Sequence, residues 1–414
     1  MKRNMIKLAA GAAAVLLMST SAQAGYTMKK KVGDVDTKMT FFGFSQLEMR
    51  GGDGSATKGE GNDISFHAQR IRLGWKYVSG NVRAKVFVDF NKDSSANKTT
   101  EAGGVSGIGI PDNIKDAFVA YRLDKAFTAK LGAIKMPHGM GFTMPGWNLD
   151  IVERGLDKKL VLERNMGLML SGRDIGFGNH GKVSGFEMGH EKAWKGFGYD
   201  IMIGNQAGRS AVVSNAKEGN GNSYAARIMF DWTELLHLEA SYALSENAGG
   251  IAGQKTYKYD AATGTVPQIV LATDTEDYES FDIGLDSSFL NGANVKAEYI
   301  NGHNLKGKKD VDQDSLSLTA QYAINNMWEP TIKHIMASET QGSGAATHNI
   351  GNTYVGVNIF LNPFDAKMDR NSKRNRNAHK VVLNYIVASG DTDTWKGVGG
   401  YKDNAWVAQY QVKF

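Results

Sequence analysis

The residues of this chain that could do chemistry are scattered, and the familiar catalytic arrangements are missing. Nine histidines run from His67 to His379, and none has a spacing that would set two imidazoles and a carboxylate around one metal ion. His237 and Ser241 fall two steps apart on one face of an extended segment, about 13 Å between Cα atoms. That is too far for a nucleophile and its base, which must nearly touch. Gly176-Phe177-Gly178-Asn179-His180-Gly181 spells GxGxxG, but no buried strand precedes it and no helix follows, as a dinucleotide site requires. There is no cysteine, which excludes disulfides, thiolate metal sites and covalently attached c-type haem. These features argue against an enzyme and against a bound cofactor or metal.

The placement of charge is more informative. Arg70, Arg72 and Lys76 alternate with Ile71, Leu73, Trp75 and Tyr77, and after a short turn Arg83, Lys85, Phe87 and Asp89 alternate with Val82, Ala84, Val86 and Val88. Lys130, Arg227, Lys296, Lys333 and Lys380 continue the polar face, against Glu48, Asp116, Glu239, Asp282, Asp286 and Glu298. If the apolar faces meet lipid, these groups line a lumen in which basic residues are in modest excess and concentrated on two adjacent strands. Arg70, Arg72, Arg83, Lys85 and Lys130, with Asp89, are then candidate pore-lining residues. Cations confined in a pore favour anions; alternatively, the two signs pair across the wall and stiffen it.

The elements that position these groups are short alternating strands. The chain opens with Lys2, Arg3 and Lys7, an apolar run Leu8 to Met18 and the small-residue site Ala22-Gln23-Ala24, the pattern of a cleaved signal peptide over 1–24. The domain expected after it is a barrel over 25–414. Without those three basic residues the formal charge falls from +5 to +2, which is no field for nucleic acid. No later run is long and apolar enough for a transmembrane helix. With 49 glycines and six prolines, the composition suits many turns and few breaks in strands.

Seventeen stretches from Lys38–Arg50 to Asn404–Phe414 read as strands, whereas a bacterial barrel with both ends on one side needs an even number. Sixteen strands are therefore expected (range 16–18) in an all-β, transmembrane antiparallel barrel. The surplus lies at Arg164–Ser171 and Val183–His190, either one interrupted strand or a first part belonging to an irregular insert at 135–167 that extends as far as Gly181. Links such as 78–80, 123–126 and 324–327 are expected to be short turns, and 91–113, 246–277 and 338–353 long loops. The last strand alternates Trp406, Ala408, Tyr410, Val412 and Phe414 with polar residues, and a terminal Phe resembles the signal read by outer-membrane assembly machinery. Asp365 to Lys380 is a basic segment, expected as a solvated turn.

Within the insert, Glu153-Arg154 followed by Arg164-Asn165-Met166-Gly167-Leu168-Met169-Leu170 resembles the phosphate-selective porin family of porins O and P. Ala133-Ile134-Lys135-Met136-Pro137 and Gly356-Val357-Asn358-Ile359-Phe360-Leu361-Asn362-Pro363 are similar to further runs of that family. The resemblance implies a homotrimer of 16-stranded channels whose long third loop folds into the lumen. It also implies constriction residues at Lys135, Arg154 and Arg164, with Lys158 and Lys159 as neighbours. The expected function is passive diffusion of small anions or hydrophilic solutes across the outer membrane, with a phosphate-like anion preference. A structural scaffold or an adhesin barrel is the alternative.

Overall fold

A computed structural model describes residues 25–52, 64–91, 113–176, 196–205, 221–232, 236–246, 255–257, 268–270, 276–288, 292–325, 327–342, 344–361, 377–397 and 399–414. The proposed signal peptide, the run 177–181, the stretch 183–190 and most of the basic segment, 362–376, lie outside them.

An N-terminal strand β1 (Tyr26–Val32) precedes β2 (Val35–Gly52), β3 (Ser65–Ser79), β4 (Val82–Asp89), β5 (Ile114–Arg122), β6 (Thr128–Lys135), β7 (Arg164–Ile175), β8 (Gly196–Asn205), β9 (Asn222–Trp232) and β10 (Leu236–Ser245). A separate two-stranded hairpin follows, β11 (Lys255–Tyr257) with β12 (Gln268–Val270). The series resumes with β13 (Tyr278–Ser288), β14 (Ala293–His303), β15 (Val311–Tyr322), β16 (Trp328–Gln341), β17 (Thr347–Phe360), β18 (His379–Gly390) and β19 (Ala405–Lys413). From β2 to β10 and from β13 to β19 each strand pairs antiparallel with the next, β10 meets β13, and β19 closes on β2. The result is a closed 16-stranded barrel. Closure leaves no row of unpaired backbone groups, which is what permits β structure in a bilayer.

The side-chain pattern is inside out. On β9, Arg227 is 2% exposed while its neighbour Ile228 is 65% exposed. The enclosed face carries Arg, Lys, Asp, Glu and Asn, and the outer face Ile, Leu, Val, Phe and Tyr. Strand periodicity forces this separation, since successive side chains point to opposite faces.

Several expectations are corrected. Arg164–Ser171 belongs to a full barrel strand: β7 pairs with β6 from Lys135↔Arg164 and directly with β8 on its other side. The irregular insert is therefore only 136–163 and does not run on to Gly181. Its expected bounds, 135–167, included residues of β6 and β7 whose alternation is blurred by Arg164 and Asn165. The region 338–353 is not a long loop, because β16 and β17 run on through polar residues and leave a turn at 342–346.

The N-terminal strand β1 was not anticipated, its alternation hidden by Lys29, Lys30 and Lys31. It pairs with Val35–Phe41 of β2, next to the place where β19 ends. Phe414 exchanges backbone hydrogen bonds with Gly43 (2.8 and 3.0 Å), so β19 and β1 lie end to end along β2. Gly25, just before β1, has φ of 93°, and a Cβ there would sit 2.3 Å from the Phe41 carbonyl oxygen, so only glycine fits.

Candidate functional site

Strand register stacks the charged groups of the barrel wall into a ladder. On one rung Phe44, Arg72 and Asp89 are neighbours across β2, β3 and β4; on the next stand Phe42, Gly74, Phe87 and Asp116; on the next Thr40, Lys76, Lys85 and Phe118; then Lys38, Val78, Arg83 and Ala120, the last opposite Lys130 of β6. Gly74 is a spacing device here. A Cβ on it would lie 2.8 Å from Phe87 and 3.1 Å from Phe42, so its absence lets those rings stack at 5.1 Å.

At the top of the ladder Arg70 Nη1 donates to Gln46 Oε1 (2.5 Å) and Arg72 Nε to Asp89 Oδ2 (2.8 Å). Lys85 is ion-paired with Asp116, and Arg164 Nε lies 3.4 Å from the other oxygen of that carboxylate. Arg154 comes in from the insert. Burial, and after it the charges of Arg70, Arg72 and Arg164 nearby, holds its pKa well below the ordinary arginine range. The structure thus brings together Arg70, Arg72, Lys85, Lys135, Arg154 and Arg164, with Asp89 and Asp116 as ion-paired carboxylates. Arg83 and Lys130 sit lower on the ladder. Lys158 stands apart, paired with Glu163 at 2.9 Å. Burial lowers the Lys158 pKa; Glu163, which burial alone would raise, is drawn down to about 2 by that lysine.

The insert is anchored to strands far from its roots on β6 and β7. It contains a single helical turn α1 (Met140–Thr143) and a 3-10 turn (Leu156–Leu160), and prolines and glycines keep it from pairing as a strand. His138 shares hydrogen bonds with Ser241 of β10 (2.9 Å) and Ser280 of β13 (2.8 Å). Gly141 N donates to Glu298 of β14 (2.9 Å), and Lys296 Nζ lies 2.5 Å from Asp150. Carbonyls of Gly146, Trp147, Leu149 and Val152 accept from Gln46, Gln411, Lys380 and Gln409 at 2.7 to 3.0 Å.

Apolar anchoring accompanies these bonds. Val152 and Leu156 pack with Ile335, Tyr354, Val382 and Ile386, while Met136, Phe142 and Leu160 pack with Met169, Met202, Ala225 and Ile300. Fully burying such side chains is worth about 1.5–3 kcal/mol each. The landing residues occupy the polar parity of their strands, and that break in alternation was the available sequence signal. The loop between β18 and β19 adds Trp395 and Tyr401 to the first cluster, and Tyr401 OH donates to Glu153.

Two of the basic residues hold the insert in shape. Lys135 Nζ donates to the carbonyls of Phe142 (3.0 Å), Thr143 (3.0 Å) and Met144 (3.5 Å). Arg154 donates to Gly141 (3.2 Å) and Met144. Both therefore cap the carbonyls at the C-terminal end of α1. The Phe142 ring lies among Lys135, Arg154 and Arg164 at 5.0 to 5.9 Å.

On the other wall, Asp200 holds Arg173 and Arg227, His237 bridges Asp231 and Glu239, and Asp282, Asp286 and Glu298 are buried nearby. A serine–histidine pair does exist, formed by residues 103 positions apart and so invisible to local spacing. His138 is fully buried, burial lowers its pKa to about 3, and its second nitrogen meets Ser280 rather than a carboxylate. It is thus neutral and lacks the orienting acid of a triad. Among the described residues no group of three His, Cys, Asp or Glu could hold a metal ion.

The fold has counterparts. The family model described as Gram-negative porin matches residues 9–329. The chain belongs to that family. It is accordingly a channel-forming protein of the outer membrane. The structure of the loop L8 deletion mutant of OmpT, an outer membrane protein of Vibrio cholerae, superposes with a TM-score of 0.57 at 11% identity, over 91% of this chain and 99% of that one. OmpF of Salmonella typhi in complex with daunomycin gives 0.55 at 12% identity, over 94% and 100%. An anion-selective porin from Comamonas acidovorans gives 0.54 at 12% identity, over 91% and 100%. No curated protein sequence matches the chain.

Proposed function

We propose that this porin lets small hydrophilic solutes diffuse passively through a water-filled lumen and prefers anions of phosphate-like size and charge. The observation that carries this reading is the convergence of Arg70, Arg72, Lys85, Arg154 and Arg164 at the top of one wall. In this reading the 136–163 insert lies inside the barrel and narrows it, so solutes pass between the insert and the basic ladder. Lys135 and Arg154 shape that edge, while Arg70, Arg72 and Arg164 supply the field. A charged constriction with several weak contacts raises anion concentration without trapping the ion.

The phosphate-porin resemblance at Glu153-Arg154 and the fold shared with an anion-selective porin support this preference. Homotrimers, removal of 1–24 and recognition of Phe414 during assembly complete the proposal. Reversal potential in a KCl gradient across planar bilayers tests it: chloride permeability above potassium is expected, and cation selectivity would overturn the anion preference.

A further inference from the structure

Glu153 and Arg154 are neighbours in the insert, yet their side chains take different partners. Arg154 donates to the carbonyls of Gly141 (3.2 Å) and Met144. Glu153 accepts from the hydroxyl of Tyr401, in the loop between β18 and β19, and lies 3.9 Å from Arg50. Tyr401 is itself fixed. The Asn352 side chain of β17 accepts from its backbone N–H (2.8 Å) and donates to its carbonyl (2.9 Å), and its ring meets Tyr354 edge-on at 6.1 Å. Gly400 has φ of 88°, and a Cβ there would lie 3.1 Å from Leu156 and 3.3 Å from Asn352, so glycine beside Tyr401 lets the loop come down onto the insert.

The other carboxylates around the arginine cluster are engaged: Asp89 holds Arg72, Asp116 holds Lys85 and Arg164, and Glu48 binds Arg50 and Gln409. Arg70 and Arg154 donate to neutral oxygens, of Gln46 and of the two carbonyls, and among the described residues neither forms an ion pair. Glu153 is near enough for its charge to act on Arg70, and a fifth of its side chain is exposed, which leaves it room to turn.

We propose, resting on the anion preference above and naming what protects it, that Tyr401 is a specificity-determining residue acting through Glu153: its hydroxyl keeps that carboxylate beside Arg50, so the charge of Arg70 and Arg154 stays open to passing anions. Without this hydrogen bond the carboxylate has one arginine as its chain neighbour and another within its field. A charge-assisted pair with either would cancel one positive charge at the constriction. A phenol suits the task because it satisfies the carboxylate as a neutral donor and adds no charge of its own. Tyr401 is thus a positioning residue, remote in sequence from the insert and uncharged, yet it sets the field that the solute meets.

The test is Tyr401→Phe, which keeps the ring against Tyr354 and both backbone bonds to Asn352, read by reversal potential in a KCl gradient across planar bilayers. The chloride-to-potassium permeability ratio is expected to fall about threefold, part of the change that one whole charge would give. In a Glu153→Gln background the same substitution is expected to move the ratio by less than about 1.5-fold, whereas a merely structural role of the loop would lower it equally in both backgrounds. Asn352→Ala loosens Tyr401 but keeps its hydroxyl; it is expected to act in the same direction, to lose its effect with Glu153→Gln, and to carry the test if Tyr401→Phe does not assemble. An unchanged ratio in Tyr401→Phe, or equal falls with and without Glu153, would overturn the proposal. A cation-selective wild type would instead overturn the anion preference, and the shift between wild type and Tyr401→Phe would still decide the role of Tyr401.

Discussion

Replacing Arg72 by glutamine isolates the electrostatic argument. Arg72 Nε lies 2.8 Å from Asp89, which is fully buried, so the substitution removes one positive charge and leaves the carboxylate without that partner. For a monovalent ion passing about 7 Å away, one unit charge is worth about 0.6 kcal/mol at the dielectric constant of water and about 2.4 kcal/mol at an effective value of 20. The sign is opposite for chloride and potassium, so their permeability ratio changes by at least about 1.2 kcal/mol, or about eightfold at 1.36 kcal/mol per decade.

Arg83 lies six residues before Asp89 on β4, about 20 Å away. That exceeds the Debye length of about 8–10 Å. Arg83→Gln is therefore expected to change the ratio by less than about twofold. The double variant Arg72→Gln/Asp89→Asn restores the charge balance and should return the ratio to within about twofold of the wild type. The assay is the reversal potential in a tenfold KCl gradient, on variants that retain a cooperative unfolding transition. An Arg72→Gln shift no larger than that of Arg83→Gln would refute the placement of the constriction at the upper rungs.

Lys296→Met removes the buried tether to Asp150 and the 3.9 Å contact with Asp286. Losing one member of a buried pair costs about 3–5 kcal/mol, so guanidinium unfolding is expected at lower concentration and protease should cut the insert sooner; an unchanged digestion pattern would contradict the tether. The Glu163 carboxyl, held near pKa 2 in the fold by Lys158, gives a pH dependence. Its folded pKa lies below the unfolded value, so its stabilisation is complete above about pH 4.5 and is lost as pH falls towards 2. The pair is partly exposed and screened, so the effect stays below about 1 kcal/mol. Hydrogen exchange of the insert should speed up more between pH 5 and pH 2.5 in the wild type than in Glu163→Gln, and identical profiles would refute the assignment.

The barrel wall was legible because its code is local. Ile114–Arg122 and Leu236–Ser245 match observed strands residue for residue, since period-two alternation records which face each side chain takes. Errors fell where the alternation fails for a physical reason: at Lys29 to Lys31, where charge on both faces hides β1, and at Arg164 and Asn165, where β7 begins among insert contacts. Arg70, Arg72 and Lys85 could be named as neighbours because they stand on adjacent strands joined by a short turn. Phe42, Phe44 and Trp147, which join them, were missed because an aromatic residue on the enclosed face reads like any apolar one.

By itself the sequence determined the run of antiparallel strands and the side on which the basic ladder faces, because each follows from alternation and turn length, and the rule that both ends lie on one side made their number even. Only the tertiary structure decided where 136–163 goes. Its partners, from Gln46 on β2 through Ser241, Ser280 and Lys296 to Lys380 and Gln411 near the end, are separated from it by roughly a hundred to more than two hundred positions. No local periodicity encodes such contacts. They exist only because the wall curves round and presents those side chains to a segment that has no strand of its own to join.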